Sequence, residues 1–186
     1  MMTNARNRRL ISIFFWSVAL VQMSAQKVSF PGIKTQAKSP DGHYVVKNVD
    51  DENREPAHTL TLMETTANKV METYEYRRHV DVLWSPASDA FVVNDYEGSD
   101  ASHPVLFTKP WTAQPIDLRE RLLTFLGTQV ATKGMLSNLH VYLLAQRWLA
   151  DGDILCRVTG YGDADPKGFR KDFVYKVGEG FRATSR

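Results

Sequence analysis

The stretch that most constrains this chain is Trp84-Ser85-Pro86-Ala87-Ser88-Asp89-Ala90-Phe91-Val92-Val93-Asn94-Asp95. One β-rich run, His79 to Trp84, stops at its Ser-Pro pair, and another, Ala90 to Asn94, starts just after it. Two strands joined by a tight connection satisfy that pattern. An upstream copy reads Ser39-Pro40-Asp41-Gly42-His43-Tyr44-Val45-Val46-Lys47-Asn48. Its Ser-Pro lies 46 residues earlier, and its Tyr-Val-Val lies 47 residues before Phe91-Val92-Val93. Two related β units therefore organise residues 39–108.

The remaining segments can be placed around them. A strand from Tyr44 to Val49 is launched by the Ser39–Gly42 turn, where proline presets φ and glycine takes conformations other residues avoid. The polar run from Asp50 to Pro56 reads as a solvated loop rather than a metal site. His58 to Thr65 alternates as a half-buried strand does, and Val70 to Tyr76 follows a short polar turn. Tyr74, Tyr76, Val80, Val82 and Trp84 share parity, which would place them on one face. A loop of residues 95–104 leads to a strand from Val105 to Thr108. The period then changes. Leu118, Leu122, Phe125, Leu126 and Val130 recur every three or four residues, which makes an amphipathic helix of 117–130. Asp117 is its N-cap, Glu120 resembles the carboxylate of a capping box, and Gly134 is a stop. Residues 139–149 fit helix and strand alike. The hairpin signal Ala150-Asp151-Gly152-Asp153 decides for a strand from about Val141, paired with Ile154 to Thr159. A loop over 160–168, a strand from Phe173 to Val177 and a briefly paired tail finish the chain.

The N-terminus carries an address. Arg6, Arg8 and Arg9 form a positive segment, and the apolar run Leu10 to Val21 is too short for the roughly 20 residues of a bilayer-spanning helix. Ser24 and Ala25 are small residues at a cleavage position. The expected division is a signal peptide over 1–25, a linker over 26–38 and one β-rich domain over 39–186, with retention as an uncleaved anchor as the alternative. Cleavage after Ala25 removes three positive charges and turns the net charge of +2 into −1. No basic stripe remains to recognise nucleic acid. Cys156, the single cysteine, cannot form an internal disulfide, and it shares parity with Ile154 and Val158 as a small buried hydrophobe.

The paired Ser-Pro turns, Trp84-Ser85-Pro86 before Phe-Val-Val and Ser39-Pro40-Asp41-Gly42 before Tyr-Val-Val, resemble the strand-turn-strand junction of WD40-like and TolB-type β-propeller proteins. The spacing is similar to that of a four-stranded blade. The resemblance covers residues 39–108, and two copies are too few to close a propeller. The fold expected is mainly β with one amphipathic helix, an α+β arrangement of antiparallel sheets from two blade-like repeats plus a C-terminal hairpin. For function the resemblance implies little, because blades serve binding and catalysis alike.

The histidines His43, His58, His79, His103 and His140 are too dispersed for a local zinc motif. No nucleophile elbow, P-loop or dinucleotide fingerprint occurs, so no catalytic residue, metal or cofactor is named. The candidate ligand-binding residues are Asp95, Glu97, Asp100 and His103, whose carboxylates cluster in one β–β loop, with Asp163 and Asp165 in a second acidic loop. A hard cation such as calcium, held by several carboxylate oxygens, and a plain solvated turn are the competing readings. Trp111, Trp148, Tyr74 and Tyr76 are core aromatics or a sugar-binding stripe. The function expected is an exported, periplasmic or secreted, binding module. Its partner is a protein or small ligand of the cell envelope, with no nucleic acid and no membrane span after cleavage. The alternatives are a small hydrolase-type enzyme using Asp95, Glu97 and His103, and a structural envelope component that self-associates through strand edges.

Overall fold

The computed structural model describes residues 27–99, 101–111, 114–127, 140–163 and 165–184. The expected leader and Gly134 lie outside these residues. A four-stranded antiparallel sheet is formed by β2 (Gln36–Lys38), β3 (Tyr44–Asp50), β4 (His58–Glu64) and β5 (Lys69–Tyr76) in that order. A nine-stranded sheet runs β1 (Lys27–Phe30), β6 (Val80–Trp84), β7 (Ala90–Asp95), β8 (Ala101–Thr108), β10 (His140–Trp148), β11 (Ile154–Tyr161), β12 (Phe169–Lys176), β13 (Gly180–Ala183). The short β9 (Ile116–Asp117) also pairs with β8 and leads directly into the helix α1 (Leu118–Gly127). The protein is thus mainly β with one short helix, and its sheets close into neither barrel nor propeller. Among the described residues no helix is long and apolar enough to cross a membrane.

The β6–β7 hairpin is the middle layer. Every residue of both strands is buried, which is why their sequences are nearly unbroken apolar runs rather than alternations. Val82, Trp84, Phe91 and Val93 face the four-stranded sheet and meet Val46, Leu60, Leu62 and Tyr76. Leu83, Ala90 and Val92 face the other way, against Val141, Leu143, Ala145 and Trp148 of β10. The joint that lets β10–β13 fold over this second face is short. β8 and β10 pair in parallel at only Val141↔Ala101 and Tyr142↔Ser102. Asn94 exchanges two hydrogen bonds of 2.9 Å with the backbone of Ala145, and the Trp148 indole donates to Leu83 O at 3.1 Å.

The two Ser-Pro turns are built alike. Ser85 N–H donates to Ala90 O and Ser88 N–H to Ser85 O, just as Ser39 N–H donates to Tyr44 O and Gly42 N–H to Ser39 O. Each leading serine also accepts a backbone N–H of the following strand, from Ala90 or from Tyr44. The fourth position is left-handed in both, with φ of 74° at Gly42 and 59° at Ser88. Ser88 is therefore the counterpart of Gly42, and its hydroxyl accepts the Asp41 N–H at 3.0 Å, tying one turn to the other. The helix begins where its cap requires. Asp117 Oδ1 accepts the Glu120 N–H at 2.9 Å, and Leu118, Leu122 and Leu126 enter the core. The last three expected residues of the helix lie outside the described region.

Several expectations are corrected. Residues 26–38, expected as a linker, contain β1 and β2. Only two apolar residues mark β1, but Val28 and Phe30 are both buried, and Phe30 is wholly so. The shared-parity set Tyr74, Tyr76, Val80, Val82 and Trp84 does converge on one core, yet from two facing sheets, because the chain changes sheet at residues 77–79. β8 begins four residues before Val105, shortening the loop ahead of it. The C-terminal hairpin is a four-stranded meander in which β11 runs through Gly160, where a Cβ would lie 2.4 Å from His140 O and 2.7 Å from the Phe169 ring. Trp111, Trp148 and Tyr76 are buried core aromatics, so among the described residues these three form no exposed stripe.

The layering predicts a steep contrast. Leu106→Ala, which empties a wholly buried position, is expected to cost about 3 kcal/mol in urea unfolding. Val70→Ala on the edge strand β5 is expected to stay within about 0.5 kcal/mol. Equal losses would contradict a core centred on β6–β8.

Candidate functional site

β7 ends at Asp95 and β8 starts at Ala101, with Asp95 directly opposite His103 in the antiparallel ladder. Directly opposed residues project on the same side and bring their Cβ atoms to about 5 Å. That side is the face toward the four-stranded sheet, because Asp95 alternates with Val93 and Phe91. From the facing sheet the Tyr74 hydroxyl donates to Asp95 Oδ2 at 2.8 Å. His103 Nε2 lies 2.8 Å from Asp117 Oδ2, and its Nδ1 lies 3.6 Å from Glu97 Oε1. Asp117 thus holds the imidazole with one oxygen and caps α1 with the other, so the start of the helix positions the histidine.

Asp95 is only 3% exposed, yet its Oδ1 has no hydrogen-bond partner. Burial raises its carboxyl above the ordinary aspartate value, and the Tyr74 bond and the charges of His103 and His79 only partly oppose that. The Tyr74 phenol is pushed well above its usual range by burial, by Asp95, and by Glu97 and Asp117. Buried polar atoms are nearly always satisfied, so an orphan acceptor at a strand end is a feature requiring a reason.

Asp81 shows what a structural carboxylate looks like in the same hairpin. It projects from the opposite face of β6 and is also buried, at 2% exposure. It accepts from Ser29 Oγ at 2.6 Å, Lys27 Nζ at 2.9 Å and Tyr96 OH at 2.9 Å. Burial pushes its carboxyl up, but these bonds more than offset it, and the group sits below its ordinary value. The residues that satisfy Asp81 come from β1 and from Tyr96 just after β7. Nothing comparable satisfies Asp95.

Three of the expected site residues, Asp95, Glu97 and His103, are therefore brought together, and two others join them. The sequence marks Tyr74 as a core or sugar-stripe aromatic and Asp117 as a helix cap, and nothing local links either to β8. Asp100 lies outside the described residues. Asp163 and Asp165 sit in the loop after β11, where Asp165 forms a backbone turn with Gly162 and Gly168. Because β8 and β10 start together and His140 pairs with Tyr161, both acidic loops occupy the same end of the nine-stranded sheet. With β10 lying between β8 and β11, roughly 10 Å separates the strands that carry them. Among the described residues no three His, Cys, Asp or Glu side chains are placed to hold a metal ion. Cys156 is wholly buried and its thiol is pushed up by burial, which suits a packing role rather than a nucleophile. At the other end of the sheet a groove of about 630 Å³ lies between the Ser85–Asp89 turn, Trp148 and Asp151. It contains no comparable buried, unpartnered carboxylate.

Compared with known proteins, the chain matches no family model, no curated protein and no solved structure.

The two buried aspartates predict opposite responses. Asp81→Asn is expected to destabilise the fold by about 2 kcal/mol at pH 7, a loss that shrinks as pH falls through the depressed pKa of Asp81 and the wild type forfeits the same stability. Asp95→Asn is expected to stabilise it by about 1 kcal/mol at pH 7. That gain closes as pH falls through the raised pKa and wild-type Asp95 takes up its proton. Urea titrations from pH 3 to 8 read both, and a destabilised Asp95→Asn would show that the carboxylate is structural.

Proposed function

We propose that this protein is an exported binding module, periplasmic or secreted, that takes its ligand at the cluster of Asp95, Glu97, His103 and Asp117 at the end of the sheet. One observation carries the reading: a buried carboxylate oxygen left without a partner beside a half-exposed His–Asp pair. Groups kept for stability are satisfied, as Asp81 is, whereas groups kept for a ligand wait for their partner. The side chain of His103 is 29% exposed and that of Glu97 58%, so solvent reaches the cluster while Asp95 lies behind it. The positive segment, apolar run and small residues of 1–25 support export, which would leave Gln26 as the mature N-terminus.

One observation favours a second reading, a small hydrolase. A carboxyl raised by burial next to a paired histidine is a pattern used for acid–base chemistry. Against it, the described residues place no activated nucleophile or metal-holding group beside Asp95.

Two measurements test the proposal. Mass spectrometry of the protein recovered from the periplasm or medium of its host is expected to find a chain starting at Gln26, and recovery of the intact leader in the cytoplasm would sink the export reading. A thermal-shift panel of amines, carboxylates, neutral sugars and short peptides is expected to yield at least one class that stabilises wild type but not His103→Ala. Catalytic turnover of a panel member, abolished in Asp95→Asn, would replace binding with catalysis.

A further inference from the structure

We infer that the ligand group received at this site is a protonated amine, seated between Asp95, Glu97 and Asp117 with His103 at its side. The inference rests on the binding-module reading above and adds the chemistry of the ligand. Asp95 Oδ1 has no partner, and an ionised carboxylate can only accept, so the group that completes ionised Asp95 brings a donor. The charges acting most strongly on Asp95 and Tyr74 are those of Glu97, Asp117, His103 and His79, and no lysine or arginine is among them. Three carboxylates thus act at a site where the leading positive influences on Asp95 are two histidines, and a positive ligand relieves the imbalance. Asp81, by contrast, holds Lys27 in the equivalent role on the opposite face of the hairpin. The missing partner of Asp95 is of the same kind. A metal ion demands several ligands at fixed short distances, and the described residues supply no such set. An ammonium group offers three rotatable donors and tolerates a looser, one-sided cradle. The site opens to solvent through Glu97 and His103, which suits a side-chain or terminal amine at the end of an extended ligand.

The test uses the full chain and n-butylammonium chloride, with sodium chloride at equal ionic strength and sodium butyrate as controls, read by the NMR resonances of the His103 ring. Butylammonium is expected to shift them saturably. Asp95→Asn and Glu97→Gln are each expected to weaken that affinity about tenfold, the loss that follows removal of one charge-assisted hydrogen bond. Glu97 is exposed, so its variant keeps the fold even if the Asp95 variant does not. Glu179→Gln, in the turn at the far end of β12, is expected to bind as wild type does. A response equal to that of sodium chloride, or affinity unchanged in both variants, overturns the amine. If butyrate or a neutral sugar saturates the same resonances instead, the binding reading stands and the amine fails. If no probe saturates them, both fail.

Discussion

The structure depends on burying one hairpin on both sides. β6 and β7 have no solvent face, so the chain must supply two separate covers, the four-stranded sheet on one side and β10–β13 with α1 on the other. Each cover meets alternate residues of the same strands, Val82 and Val93 on one side, Leu83 and Val92 on the other. An apolar strand layer buried twice contributes its hydrophobic stabilisation on both faces, at about 25 cal/mol per Å² of apolar surface removed from water. The helix cannot do this alone, because ten residues offer only Leu118, Leu122 and Leu126 to the core. It fills one side of the second layer while the β10 wing covers the rest.

Burying both faces also exposes a problem at the strand ends, where polar residues begin before burial stops. Asp81, Asn94 and Asp95 all fall in that zone, and each is less than 4% exposed. Asn94 is matched by the backbone of Ala145, and Asp81 by Lys27, Ser29 and Tyr96. The first of those matches holds the β10 wing in register, and the second pins β1 to the hairpin. Asp95 receives only Tyr74. Within one hairpin, then, two buried carboxylates are driven in opposite directions by their partners rather than by their burial, which is nearly equal. This division separates a satisfied buried charge from an unsatisfied one more cleanly than exposure does.

The paired turns show how far a repeat can be read from residues. Ser39 and Ser85 perform the same backbone bonding, and the spacing of the two Ser-Pro pairs gives the correct alignment. Gly42 and Ser88 differ in residue type, yet both take the left-handed conformation. Serine tolerates it because its hydroxyl is engaged by Asp41. A tertiary bond thus replaces a local preference, and no pattern in the chain announces such a replacement.

What the sequence by itself determined were the local elements. The Ser-Pro turns, the alternation of β4, the 3.6-residue period of α1 with its Asp117 cap, and the Asp151-Gly152 hairpin all follow from preferences acting over a few residues. The inward Cys156 and the proximity of Asp95 to His103 belong here too, since adjacent strands of a short connection must pair. Tertiary structure alone decided which sheet each strand joined and what met across the layers. Strands β1 and β2 are too short to signal themselves and become strands only by docking on β6 and β3. Tyr74 lies 21 residues from Asp95 and Asp117 14 residues from His103, and both meetings are set by the stacking of sheets and the start of a helix. Local propensity has a range of one turn or one strand. The charge state of a buried carboxylate is set by its burial and by the donors and charges that the whole fold brings around it.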